Sequence, residues 1–139
     1  MPEAWLEGSV PDVAAEVLPV AHSLIDASRE FEAASSGLDV DQLWATPHGV
    51  ASVGFHLRHA CGAIDRLITY ARGESLSAAQ LEALRREGEP GDPPETAAAL
   101  MEQVRRRVAS TLDVLRATDP STLSDGRTVG RAALPSPVR

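Results

Sequence analysis

The chain has 139 residues, a length typical of one domain with one hydrophobic core. Hydrophobic residues make up 43% and charged residues 24%, which is ordinary for a globular protein and too apolar for a disordered chain. The formal net charge of −7 and the absence of a Lys-rich tract argue against nucleic acid as a partner, because phosphates require clustered Lys and Arg.

Aromatic residues are only 4% of the chain, a composition that favours helices over strands. A first long helix is predicted over residues 11–35. Apolar and small residues recur there at steps of three and four, at Val17, Leu18, Ala21, Leu24, Ile25, Ser28 and Phe31. Pro19 should kink this segment or end a preliminary turn. Gly37 predicts the C-terminal stop, and residues 38–49 are expected to form a short connector.

A second long helix is predicted over residues 50–72, with Gly73 ending it. Its apolar stripe consists of Val53, Leu57, Ala60, Ile64, Leu67, Ile68 and Ala71. Ser77 followed by Gln80 is a capping box, in which each side chain satisfies an unpaired amide at a helix start. A short helix is therefore expected over residues 78–87.

A third long helix is predicted over residues 93–117, with Asp92, Pro93 and Glu95 as its cap signature. Its predicted inner face consists of Leu100, Val104, Val108, Thr111, Leu112 and Leu115. The arginines at 105–107 are interpreted as a solvated outer face. Residues 118–139 should be rich in loops, with at most a short extended stretch around 128–131. The whole chain, 1–139, is interpreted as one all-α domain.

Histidines are the clustered candidates for chemistry. His56 and His59 lie three residues apart on one flank of the predicted second helix, so both imidazoles could face one metal ion. His22 lies between apolar positions of the first helix and is a weaker third candidate. The alternative is structural: His56 packs at the edge of the core, His59 is half exposed, and His22 is a hydrogen-bonded core residue.

The rest of the sequence offers no recognisable nucleophile motif, and Cys61 falls on an apolar helix face, where a reactive thiolate is not expected. A single cysteine cannot form an internal disulfide. The N-terminus lacks the basic and apolar regions of a signal peptide, and no apolar run reaches membrane-spanning length. We therefore expect a cytoplasmic protein without a membrane partner.

Residues 51–84 carry the most specific pattern of the chain, within which stands GFHLRHACGAIDRLITYARGE. Together with LPVAHSLIDASREF before it and VGRAALPS after it, this segment resembles the DinB/YfiT-like family. The resemblance implies an up-down helical bundle, usually dimeric, in which many members bind a divalent metal through three histidines. One ligand lies on the second helix, where His59 is the best match, and two lie in an HxxxH pair on the last helix.

The resemblance also implies a reaction class, since relatives include thiol S-transferases that use low-molecular-weight thiols such as mycothiol or bacillithiol. A metal-dependent transferase or hydrolase, with zinc or nickel and a low-molecular-weight thiol substrate, is therefore implied. The last helix of the family pattern is missing from the sequence, however, and with it the HxxxH pair. A catalytic metal needs about three protein ligands, so we expect an incomplete metal site.

The missing helix should leave an apolar groove, which a second copy of the chain could cover. We therefore expect a homodimer that buries residues from the set Leu18, Ile25, Leu57 and Ile64. Two other functions stay open: a non-catalytic helical binding or dimerisation module, and a metal site built from His56 and His59 with His22 or a residue of the neighbouring subunit.

Overall fold

The computed structural model describes residues 1–130 and 132–137. Its three long α-helices are α1 (Leu18–Ser35), α3 (Val53–Ala71) and α5 (Ala97–Arg116), and its two short ones are α2 (Val40–Trp44) and α4 (Ala78–Arg85). An antiparallel hairpin of β1 (Gly126–Val129) and β2 (Leu134–Pro137) follows α5. The predicted all-α class with three long helices is confirmed. No helix in the described ranges combines the length and apolar character needed to cross a membrane.

Helix α5 is the centre of the bundle, because it packs against both α1 and α3. The predicted inner face of this helix is confirmed: Leu100 is 1% exposed and Val104 is 2% exposed. The main core cluster consists of Leu43, Leu57, Leu100, Met101, Val104 and Val108. A second cluster of Val17, Ala21 and Leu115 lies where α1 begins and α5 ends.

The first helix is shorter than predicted. A 3-10 turn over Ala15–Val17 leads into α1, and Pro19 lies in the first turn of that helix. The amides of a first helical turn have no partner within the helix, so proline is tolerated there. Of the two effects expected from Pro19, the structure shows the end of a preliminary turn.

The connector between the first two long helices, to which no helix was assigned from the sequence, contains the short helix α2. Asp39 and Gln42 form a capping box that starts α2, and Leu43 on this helix is fully buried. The start of α5 also differs from the expected cap, because the hydroxyl of Thr96 accepts a hydrogen bond from the amide of Ala99. The carboxylate of Glu95 is instead bound by Arg58.

The C-terminal segment is more ordered than a loop with a short extended stretch. A 3-10 helix over Pro120–Ser124 precedes the hairpin, in which Gly126 pairs with Pro137 and Val129 with Leu134. The part of the predicted stretch at position 131 lies outside the described residues. Both strands of a two-stranded sheet are edges, which accommodate prolines that cannot donate a hydrogen bond. Arg127 joins the hairpin to the bundle by donating from Nε to the carbonyl oxygen of Ala71, 2.8 Å away.

Candidate functional site

Helix α3 carries the two candidate histidines on its solvent-facing flank. Both His56 and His59 are exposed, and 47% of the His59 side chain is accessible. The ring of Phe55 lies between them: it stacks on His59 at 5.3 Å with an interplanar angle of 12°, and it meets His56 edge-on. The alternative in which His56 packs at the edge of the core therefore does not describe this residue.

The His59 imidazole is bound by a buried carboxylate. Its Nδ1 lies 2.7 Å from Oε2 of Glu87, whose side chain is only 6% exposed. The other oxygen of Glu87 accepts a hydrogen bond from Nη1 of Arg66, also at 2.7 Å. A buried charge is costly unless it is paired and hydrogen-bonded, and Arg66 provides both. We refer to His59, Glu87 and Arg66 as the polar triad.

Gly62 makes the polar triad sterically feasible. A Cβ atom at this position would lie 2.6 Å from Nη1 of Arg66 and 2.6 Å from Oε1 of Glu87. Real side chains do not approach so closely, so any larger residue at Gly62 would displace the ion pair. The lack of a side chain at Gly62 therefore leaves the space on the α3 surface that the Glu87–Arg66 ion pair occupies.

The remaining histidines lie elsewhere. Nε2 of His22 is 2.8 Å from the carbonyl oxygen of Gly8, a contact that ties the N-terminal arm to α1. His48 is exposed in a 3-10 turn. Across residues 1–130 and 132–137, no three His, Cys, Asp or Glu side chains are grouped so that they could hold a metal ion. The structure thus does not bring His22, His56 and His59 together as one ligand set.

Cys61 and the arginines of α5 behave as expected from the sequence. Cys61 packs against the main core cluster, and burial raises the pKa of its thiol, an effect that Arg107 partly opposes. The three arginines are ion-paired on the surface: Arg105 with Glu32 and Glu102, Arg106 with Glu102, and Arg107 with Asp65. The positive charges of all three arginines are therefore paired with acidic residues of the same chain.

An apolar pocket of about 390 Å³ lies where α1 begins, α3 and α5 end, and the hairpin folds back. Two of the residues that line it are largely exposed to solvent: Val20 is 49% exposed and Leu67 is 61% exposed. Of the four residues offered for a subunit interface, Leu57 is 1% exposed inside the chain and is therefore not available to a second copy. The apolar lining includes Val17, Val20, Leu67, Ile68, Leu115 and Val129.

Glu87 and Arg66 were not predicted as site residues from the sequence. Arg66 lies seven residues after His59, two helical turns along the same flank, and Glu87 follows a short capped helix. The sequence did contain one signal for them: Gly62 lies on α3 between His59 and Arg66. Glycine inside a helix costs stability and usually has a packing reason.

These features define a helical-bundle protein with a carboxylate-bound histidine on its second long helix. The sequence model of the DinB superfamily matches residues 23–137. The chain therefore belongs to the DinB superfamily. No curated protein sequence gives a significant match.

Proposed function

We propose that this chain is a DinB-superfamily protein of the metal-dependent transferase or hydrolase type, with a low-molecular-weight thiol as substrate, and that His59 is its metal ligand. The main observation in support of this proposal is the contact of His59 Nδ1 with the buried carboxylate of Glu87. Metal-binding histidines almost always donate their second ring N–H to such a group, which orients the ring and raises its basicity.

The fit to a metal ion is partial. Imidazole suits zinc and nickel, and Nε2 of His59 is the atom that would face the ion. A catalytic metal needs about three protein ligands, whereas the described residues contain no group of three candidate ligands. One chain, as described, does not fit a complete catalytic metal site. We therefore propose that the remaining ligands come from a second copy of the chain.

Three residues around His59 would support its role as a ligand. Glu87 orients the His59 ring, Arg66 keeps the carboxylate paired, and Phe55 restricts rotation of the imidazole by stacking on it. The metal, when bound, would supply Lewis acidity toward the thiol sulfur. The exposure of His59 leaves room for a ligand to approach from solvent.

Metal content tests the proposal. Protein purified without an affinity tag is analysed for zinc and nickel as wild type, His59→Ala, His56→Ala and His22→Ala. We expect metal in the wild type and its loss in His59→Ala, because the ring nitrogen is removed. His48→Asn is the matched control, since His48 is exposed, has a φ of 54° and is not a candidate ligand. A wild type without metal after purification and zinc or nickel addition contradicts the proposal.

A second candidate function, a non-catalytic dimerisation module, is favoured by the exposure of Val20 and Leu67 beside the apolar pocket. In this function a second copy covers that surface, and His59→Ala has no effect on assembly. Light scattering at micromolar concentration should then report a dimer for the wild type and a monomer for Leu67→Asp. A monomeric wild type contradicts this function.

A further inference from the structure

Glu87 has an unusual position for an acidic residue. It follows α4, yet it is 5% exposed and is one of the few buried polar residues in the described ranges. Its two carboxylate oxygens have separate partners: Oε1 accepts from Arg66 and Oε2 faces Nδ1 of His59. Neither partner is a backbone group, so this arrangement does not serve as a helix cap.

The chemistry of a carboxylate dictates which ring nitrogen of His59 carries the hydrogen. An ionised carboxylate only accepts hydrogen bonds, so Nδ1 must be the donor. In the neutral imidazole the other nitrogen then holds a lone pair. Nε2 of His59 is therefore the nitrogen that can accept a proton or coordinate a cation.

Two neighbours keep Glu87 in this role. Arg66 is 11% exposed at its side chain and donates a charged hydrogen bond to the other oxygen of Glu87, which holds the carboxylate in place. Gly62 leaves the space in which Glu87 and Arg66 meet. Phe55 stacks on the His59 ring from α3 itself. The ring is thus constrained both in its plane and in its hydrogen-bonding direction.

We propose that Glu87 is a positioning residue that holds neutral His59 as the Nδ1–H tautomer, with the Nε2 lone pair presented to a bound cation or an acidic proton. The metal-binding consequence rests on the proposed function, whereas the tautomer is a property of the metal-free chain. The two can therefore be tested separately.

The test is long-range ¹H–¹⁵N correlation NMR of the uniformly ¹⁵N-labelled, metal-free full chain, recorded over a pH series that reaches the neutral imidazole. We expect His59 to be mainly Nδ1–H in the wild type. His56 is an internal reference, because it is exposed on the same helix and its neighbouring ring is Phe55. A mainly Nε2–H tautomer for His59 in the wild type overturns the proposal without any variant being needed.

Two variants separate positioning from packing. Glu87→Met keeps the length of the side chain and removes the acceptor, so His59 should shift toward the Nε2–H tautomer. Glu87→Gln retains a carbonyl acceptor and should restore most of the Nδ1–H form. A folded Glu87→Met protein, judged by amide dispersion, with an unchanged His59 tautomer overturns the proposal.

Metal affinity distinguishes failure of this inference from failure of the proposed function. If the wild type binds zinc, Glu87→Met should weaken binding by about 10- to 100-fold, the usual effect of losing such a partner. An unchanged zinc affinity overturns the positioning role of Glu87 toward the metal. A wild type that lacks metal but shows the Nδ1–H tautomer overturns the metal proposal and supports the positioning inference.

Discussion

Two regions on opposite sides of α3 are stabilised by different interactions. One is the apolar core between α1, α3 and α5, and the other is the set of polar contacts between α3 and the 86–95 segment. The core is a set of interchangeable apolar contacts, in which burial matters more than the identity of each partner. On the other side of α3, each contact depends on one donor meeting one acceptor. The apolar stripe predicted for α3 is confirmed only in part, because Leu57 is 1% exposed whereas Leu67 is 61% exposed. The polar contacts on the other side of this helix were not predicted at all.

Arg58 is the centre of the polar side. Its guanidinium lies 4.7 Å from the centre of the Trp44 ring and donates from Nη2 to the Glu95 carboxylate at 3.0 Å. It also donates to the carbonyl oxygens of Arg86, Glu89 and Pro90. Trp44 in turn donates from its indole nitrogen to the carbonyl oxygen of Glu95, 2.9 Å away. We call Arg58, Trp44 and Glu95 the arginine clamp.

The largest expected effect lies in the core. Leu57→Ala should lower the free energy of unfolding by about 2–5 kcal/mol, because it removes buried methyl groups and leaves a cavity. Val53→Ala on the same helix is the control: Val53 is 36% exposed and belongs to neither core cluster, so the change should stay within about 0.5 kcal/mol. Urea unfolding followed by circular dichroism measures both. Equal losses in the two variants would contradict the assignment of Leu57 to the core.

A smaller effect is expected where the two regions meet. A Cβ atom at Gly54 would lie 2.7 Å from the Trp44 ring, so Gly54→Ala should destabilise the fold by roughly 1–3 kcal/mol. The loss arises from overpacking and outweighs the gain in helix propensity, which is at most about 1 kcal/mol.

A double-mutant cycle identifies the cause of that loss. In a Trp44→Ala background the steric conflict is absent, so Gly54→Ala should become neutral or stabilising by up to about 1 kcal/mol. The measurement is again urea unfolding, with all four proteins compared at one temperature. A loss of the same size in both backgrounds would show that contact with Trp44 is not its origin.

The parts of the fold that follow from local chemistry could be predicted from the sequence. The three long helices, the Ser77 capping box and the buried face of α5 were all recognised, because periodicity and caps are short-range signals. Helix α2 was missed although Asp39 and Gln42 form the same kind of box, since its five residues are too few to show a period.

The candidate site was predicted only in part, for the same reason. His59 could be found from its place in a family pattern, but Glu87 lies 28 residues further along the chain. Which acid reaches His59 depends on how the residues after α4 turn back onto α3. No period in the sequence encodes that turn, and only the space above Gly62 hints at it.

The smallest expected effect tests the arginine clamp. Arg58→Lys retains the charge and one contact with Glu95, but a lysine cannot make the several directed hydrogen bonds of a guanidinium. We expect a loss of about 1 kcal/mol in the free energy of unfolding, the net value of a typical hydrogen bond, together with faster amide exchange in residues 86–95. Arg106→Lys is the control, since Arg106 is 73% exposed and pairs only with Glu102 among the described residues, so its loss should be negligible. If Arg58→Lys behaves like Arg106→Lys in both measurements, the 86–95 segment is held by the backbone turns and the apolar contacts around it, and the polar side of α3 contributes as little to stability as an ordinary surface.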